Sequence, residues 1–495
     1  MTPFNCWLAV GALSLALFSS QAQQLVSTSE DVKGVSITVY NQNFAVVREK
    51  RTVALPDGTA SVRYEDVAST IDPTSISFKS LTNPNGVAVR EQNYQYDLLS
   101  PAAILNKSLG KQVEFRHVKP DGKSHYTRGT LLNLPYQEHP NGSNYAGQWH
   151  GVVLKKQDGS IVLNPWGQQS VNELPEGLIA KPSLLWQLLV DDGGEHETEI
   201  SYIANQLNWV ADFVAIVNDE ETAVDLTGWV TLDNRTGATY ANAQLQLMAG
   251  DVRRVEEQNE YRDEELYYAM DAVAEAPAPQ FEEESFFEYH LYTLEGRTTL
   301  QSNETKQMTL LTAADAGVER KLVFDSRRMG YFNYNPQPGT GTSTQDIKAA
   351  IMVELENSEE NNMGMPLPKG KVRMYKEDPR GNLQFIGEDL IDHTPKNETI
   401  RLYIGEAFDV VAERKRTDYK RISTHVHEEE YEINVRNHKD EAASVVVTEH
   451  MSYGEWHILT NSHRYEKTDA TTLDFALRVP ADSELTVKYR VRYNY

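Results

Sequence analysis

From Val35 onward the chain alternates apolar and polar positions with period two. Val35-Ser36-Ile37-Thr38-Val39-Tyr40 sets β-branched and aromatic residues between small polar ones, as a strand with one buried and one wet face requires. The pattern returns at Ser75-Ile76-Ser77-Phe78-Lys79 behind the turn signal Asp72-Pro73, and Asp57-Gly58 marks another break. Val224-Asp225-Leu226-Thr227-Gly228-Trp229-Val230-Thr231-Leu232 and Ala243-Gln244-Leu245-Gln246-Leu247 flank the polar turn Asn234-Arg235-Thr236-Gly237, which predicts a hairpin of a sandwich. Near the C-terminus, Tyr431-Glu432-Ile433-Asn434-Val435, Ser444-Val445-Val446-Val447-Thr448 and Leu485-Thr486-Val487-Lys488-Tyr489 carry the same signature.

Helical signals are sparse. Ser100-Pro101 is a helix start, serine capping the free N–H groups and proline at the first position losing no needed donor, but only about two turns fit before Gly110. Short strands then alternate with glycine turns at 110, 122, 129, 151 and 159, a spacing that predicts a small five- or six-stranded barrel. The fold expected is mainly β and multi-domain. It divides into an N-terminal β-unit (25–97), a small barrel (98–180) and a C-terminal β-sandwich (181–250 and 289–495) interrupted by an acidic linker (251–288).

The N-terminus changes the picture of where this fold resides. An apolar run from Cys6 to Phe18, too short to span a membrane, precedes Ser20-Gln21-Ala22, so residues 1–22 are expected to be a cleaved signal peptide and the mature chain to begin at Gln23. The expected location is outside the cytoplasm: periplasm or outer-membrane periphery, or secreted. Cys6 is the only cysteine and falls in the removed segment, which excludes disulfides and thiolate chemistry from the mature chain. No later stretch reads as a transmembrane segment.

Charge narrows the partners. The chain carries 47 Lys and Arg against 72 Asp and Glu, a formal charge of −25. Nucleic acid, which demands a basic footprint, is excluded on this basis. The stretch 251–288 holds thirteen acidic and three basic residues together with Ala276-Pro277-Ala278-Pro279, hence its reading as a solvated linker.

Several longer motifs resemble a known family. Tyr40-Asn41-Gln42-Asn43-Phe44-Ala45-Val46-Val47-Arg48 and Glu91-Gln92-Asn93-Tyr94-Gln95-Tyr96-Asp97 resemble the N-terminal half of exported bacterial proteins carrying domain of unknown function 4139. Leu207-Asn208-Trp209-Val210-Ala211-Asp212-Phe213 and Leu247-Met248-Ala249-Gly250-Asp251-Val252 resemble that domain's opening, and Gly454-Glu455-Trp456 its close. The group is more distantly similar to the mucoidy-inhibitor proteins. The resemblance implies a β-rich extracytoplasmic scaffold and brings no catalytic residues.

No hydrolase elbow, Walker loop, dinucleotide loop or His-Glu-x-x-His motif occurs. Six of the thirteen histidines lie between 425 and 463. His425 and His427, two apart, would share one face of a strand as ligands of a surface metal, whereas the plainer reading is a polar solvent face. Tyr145, Trp149 and Trp166, in a Gly- and Asn-rich stretch, are candidate platforms for stacking on sugar rings, against the plainer reading that such rings simply pack sheets. No cofactor is expected, and no pair of catalytic carboxylates stands out. The leading expectation is a non-enzymatic binding or scaffold protein of the cell envelope, recognising an envelope protein or polysaccharide. A glycan hydrolase and a surface metal-binding protein are the alternatives.

Overall fold

The computed structural model describes residues 24–137, 148–255, 280–327, 346–451 and 455–494. The expected signal peptide and most of the acidic stretch lie outside them. The described chain is mainly β, as the alternation predicts, and its one α-helix among the described residues, Pro101–Lys107, begins at the expected cap: Ser100 Oγ accepts from Ala103 N at 3.0 Å. No helix among the described residues is long and apolar enough to cross a membrane.

Two large sheets carry most of the mass. An eight-stranded sheet brings Val32–Tyr40 and Phe44–Leu55 together with Gly194–Asn205 and Tyr240–Ala249, so strands distant in sequence share one ladder. A thirteen-stranded sheet holds the C-terminal strands, and two of these are exceptionally long. Glu304–Asp325 pairs with Ala223–Asn234 along its first part and with Asp346–Glu356 and Ala443–His450 along its last. Thr399–Arg421 runs likewise from Asp346–Glu356 to Val426–Asn437. At about 3.3 Å per residue each spans roughly 70 Å, and both bend at register shifts, as bulged strands do.

These strands join two apolar cores. One runs from Val35 to Ile404 and includes Trp186, Trp209 and Phe213; the other gathers Phe324, Tyr431, Phe475, Tyr489 and Val491. The longer strands of these sheets, such as Leu207–Val217 and Ala223–Asn234, bury alternate residues along their whole length.

The expected hairpin at 234–237 is not one. Ala223–Asn234 lies in the thirteen-stranded sheet and Tyr240–Ala249 in the eight-stranded sheet. The connection crosses between sheets because Asn234 fastens it from within: its Nδ2 donates to the carbonyls of Ala238 (3.0 Å) and Gln301 (2.8 Å), and Thr236 is fully buried. The acidic stretch, expected as linker to residue 288, ends instead in the edge strand Phe281–Phe286, which pairs with Tyr289–Leu294.

The barrel expected over 98–180 is also corrected. Its strands form an open five-stranded antiparallel sheet whose two edges, Ile161–Leu163 and Gln168–Val171, do not pair with each other, beside a two-stranded ribbon. Strands of two to eight residues are too short to wrap round and close. This small sheet emerges between Val87–Gln95 and Ser183–Val190, which pair directly with one another, Gln95 opposite Ser183.

Candidate functional site

The small sheet buries little. Its core is Val113, Phe115, Leu131, Val152 and Leu154, every second residue of its strands, and three asparagines do much of the rest. Asn106 exchanges two hydrogen bonds with the backbone of Tyr136 (2.9 and 3.1 Å). Asn133 accepts from Val153 N and donates to Gly151 O (2.8 and 2.9 Å), and Asn164 accepts from Val152 N at 2.8 Å. Such side chains substitute for ladder bonds that short strands cannot make.

This scaffold presents two of the aromatic residues singled out by sequence. Trp149 stands opposite Tyr136 in the two-stranded ribbon, the rings 4.9 Å apart edge to face, and is 46% exposed. Trp166 is 77% exposed and leans on the His117 ring at 4.1 Å. Gly167 makes that placement possible: its φ is +132°, and a β-carbon there would meet Arg116 O at 2.4 Å, so only glycine lets the chain lie so close. Tyr145 lies outside the described residues. By contrast Trp186, Trp209 and Trp456 are buried. Among the described residues, eleven of the 24 exposed large apolar side chains fall in 98–180, a sixth of the sequence.

The two histidines are not brought onto one strand face. His425 is exposed in the bend before Val426–Asn437, whereas His427 is inside the strand, 4% exposed, stacked on Tyr493 at 5.0 Å and tilted against Tyr419 at 5.4 Å. Burial and the Arg416 charge lower the His427 pKa, and Glu429 at 3.7 Å opposes them. No group of three or more His, Cys, Asp or Glu fit to hold a metal occurs among the described residues.

Two pockets bear on the hydrolase alternative. One, in the larger core between Phe213, Val224, Leu226, Val353, Met374 and Leu402, is about 10 Å³, the room of a single water, and is lined only by apolar side chains. The other, about 150 Å³, sits where Glu304–Asp325, Asp346–Glu356 and Thr399–Arg421 diverge and is lined by Val323, Asp325, Ile347, Lys348 and Glu406. It is half the roughly 300 Å³ at which ligand pockets begin, and its Asp325 lies 3.0 Å from His450 Nε2.

Sequence reasoning missed two buried ionic clusters. Arg51, fully buried, donates to Glu49 Oε2 (2.8 Å through Nη2) and to the carbonyls of Ser27 and Glu65 (both 3.0 Å), lies 4.8 Å over the Tyr64 ring, and Tyr202 donates to Glu49 Oε1 at 2.9 Å. Burial pushes the Tyr64 hydroxyl up to about 12, and burial with the Glu49 charge raises Tyr202 well above the ordinary range. In the second core Arg414 grips Glu449 through Nε and Nη2 (2.8 and 2.7 Å), Tyr489 donates to Glu449 Oε2 at 2.5 Å, and Tyr431 donates to Glu429 at 2.5 Å. These groups resemble acid–base machinery in kind. With Arg414 7%, Glu449 0% and Tyr489 1% exposed, a substrate cannot reach them, and they act as cross-ties. A signal for both was present: Glu49 and Arg51 occupy the same parity as buried Val47, Val53 and Leu55, and Glu449 the parity of Val445 and Val447.

A search of curated proteins finds no match to this sequence. A family model, the domain of unknown function DUF4139, matches residues 198–495. The match starts inside the strand Gly194–Asn205 and takes in both long strands and both large cores' C-terminal contributions, and it leaves the small aromatic sheet outside. Because it covers more than half of the sequence, the chain belongs to the DUF4139 family.

Proposed function

We propose that this is an extracytoplasmic, non-enzymatic binding protein in which the large sheets form a rigid frame and the small sheet is the recognition surface for a cell-envelope polysaccharide. The observation that carries the reading is the display of Trp149 and Trp166 on the ribbon and connection beside a sheet that spends its few core positions on smaller side chains. Exposed apolar surface of this density on a soluble frame marks an interaction site, and planar rings held by Tyr136 and His117 offer faces on which sugar rings stack. The apolar run and Ser20-Gln21-Ala22 support export, and the charge of −25 suits a partner that is not itself strongly anionic.

The test is a binding screen of the purified chain, starting at Gln23, against envelope glycans, with mass spectrometry of the glycan afterwards. Wild-type protein should retain glycan unaltered. Trp149→Ala with Trp166→Ala should weaken binding roughly 30-fold, from about 1 kcal/mol per lost ring contact. Shortened glycan would replace this reading with the hydrolase, and retention unaffected by the double substitution would remove the small sheet from the site.

A further inference from the structure

A second display of aromatic residues lies in the eight-stranded sheet. Its edge strand Phe281–Phe286 turns into Tyr289–Leu294 through the two-residue loop Phe287-Glu288, with Phe286 opposite Tyr289. Phe286 is 55% and Phe287 83% exposed. Phe287 has φ +59°, a conformation such tight turns ordinarily give to glycine or asparagine because a β-carbon is strained there. Its ring lies 6.4 Å from that of Tyr289, but neither burial nor turn geometry calls for a phenylalanine at this tip. Around it stand Glu282, Glu283, Glu284 and Glu288 with no Lys or Arg from 281 to 289, and only Glu283 makes an ion pair among the described residues, with His290. Alternation puts Glu282, Glu284 and Phe286 on one exposed face.

The complement of an acidic, phenylalanine-tipped hairpin is an apolar surface rimmed by cations, and the chain contains one. Stretch 98–180 carries eight Lys and Arg against six Asp and Glu, a formal +2 within a chain of −25. In its sheet, Leu154 pairs with Val162 and Leu131 on the buried side, so Ile161, Leu163 and Lys155 lie on the outer face, joined across the register by Tyr126, Arg116 and Arg128, the last paired there with Glu114, so that three cations face one carboxylate. Ile161 is 51%, Leu163 68% and Tyr126 46% exposed, and Lys155 makes no ion pair among the described residues. Trp166 leans on His117, which shares the parity of buried Phe115, so this outer face is opposite the one His117 serves.

We propose that the Phe286–Phe287 hairpin of one copy docks on the outer face of the small sheet of a second copy, a head-to-tail contact that propagates into a ring or a short filament. The two surfaces differ, so the contact is heterologous and each copy keeps one donor and one acceptor free until the assembly closes. The proposal stands independently of the glycan reading.

Sedimentation of the full mature chain tests it. At about 50 mM salt the mass average should climb above the monomer as concentration rises to about 100 μM, and return towards the monomer near 0.5 M salt, where charge attraction is screened. Phe286→Ser with Phe287→Gly, and separately Ile161→Ser with Leu163→Ser, should each stay monomeric. Mixing the two variants should restore a contact that stops at a 1:1 dimer, because one supplies only the acceptor and the other only the hairpin. Phe287→Gly alone should leave the melting temperature unchanged or raised, since it relieves the turn; a fall would assign Phe287 a structural role and overturn the proposal. A wild-type chain monomeric at low salt, or association that survives both pairs of substitutions, would also overturn it.

Discussion

The large sheets and the small sheet treat the same kind of side chain in opposite ways. Trp186 and Trp209 are no more than 1% exposed within a core drawn from three sheets, whereas Trp149, in the two-stranded ribbon, and Trp166, just before Gln168–Val171, stand in solvent beside a sheet whose buried cluster numbers five residues. Strand length explains the difference. Strands of eleven or twelve residues, such as Leu207–Val217 and Ala223–Asn234, offer five or six inward positions each, while Val153–Lys155 and Ile161–Leu163 offer one or two. A frame with surplus burial can carry charges inside it, and a sheet with a deficit leans on asparagine side chains and leaves rings outside. Buried and displayed aromatic rings thereby fall in different parts of one chain.

The comparison breaks first if the frame proves insensitive to its buried cluster. Glu49→Ala leaves Arg51, fully buried, without its carboxylate and takes the acceptor from Tyr202, so a loss of about 3–5 kcal/mol is expected in denaturant unfolding. Replacing the pair together, Glu49→Leu with Arg51→Met, should recover most of that loss, because no buried charge remains. A double variant as unstable as the single one would mean that the Arg51 contacts to Ser27 and Glu65 carry the cluster instead.

Trp209→Ala applies the same test to an uncharged position. The indole is 1% exposed, donates to Met248 O at 3.3 Å and meets Tyr292 edge on, so truncation should cost about 3–5 kcal/mol. Excision of the small sheet should do far less. Because Gln95 and Ser183 are register partners, an Asn-Gly turn in place of 96–182 joins two strands already paired, and the melting temperature should move by only about 5 °C. Collapse of the excised chain would show that the frame depends on the small sheet after all.

Acid sharpens the contrast further. The pKa values of His427 and His393 are both lowered, in each case chiefly by burial, while Arg416 and Lys369 respectively act in the same direction. A depressed folded value means that the unfolded chain binds the proton more readily. Their contribution is therefore complete above the unfolded value of about 6.5 and is lost as pH falls below it. Thermal stability should therefore decline as pH falls from about 7 to 5, and His427→Gln should flatten that slope while leaving Lys369 and His393 in place. A slope unchanged by the substitution would place the titration elsewhere.

How far the sequence disclosed this arrangement follows from the same distinction. Period-two alternation revealed the strands of the frame, and the helix cap at Ser100 was readable because both cap and Pro101 act within a few residues. Sheet membership was not readable: the turn after Asn234 carries hairpin chemistry, yet the partners that decide it, Gln301 among them, are distant in sequence. Closure of the small sheet failed for a related reason, since turn spacing gives strand number but not whether the edges meet. Trp149 and Trp166 could be named from their Gly- and Asn-rich surroundings, whereas His425 and His427 could not be separated, because the bend that ends just before Val426 has no marker. Glu49 and Arg51 were legible in parity alone.

The smallest expected effect is the most informative about the small sheet. Trp166→Ala removes a ring that is 77% exposed and touches His117 on one side, so about three quarters of its surface is already in water in the folded chain. Burial gained on folding is correspondingly small, and stability should change by less than about 0.5 kcal/mol, within the range of ordinary surface substitutions. The same substitution at Trp209 removes several kcal/mol, so the pair of variants measures the division of labour directly. If Trp166→Ala cost as much as Trp209→Ala, the ring would be a packing element whose partner is absent from the described residues, and its display would lose its functional meaning. If it costs nothing while retention on glycan falls, the ring is kept for what it touches outside the chain.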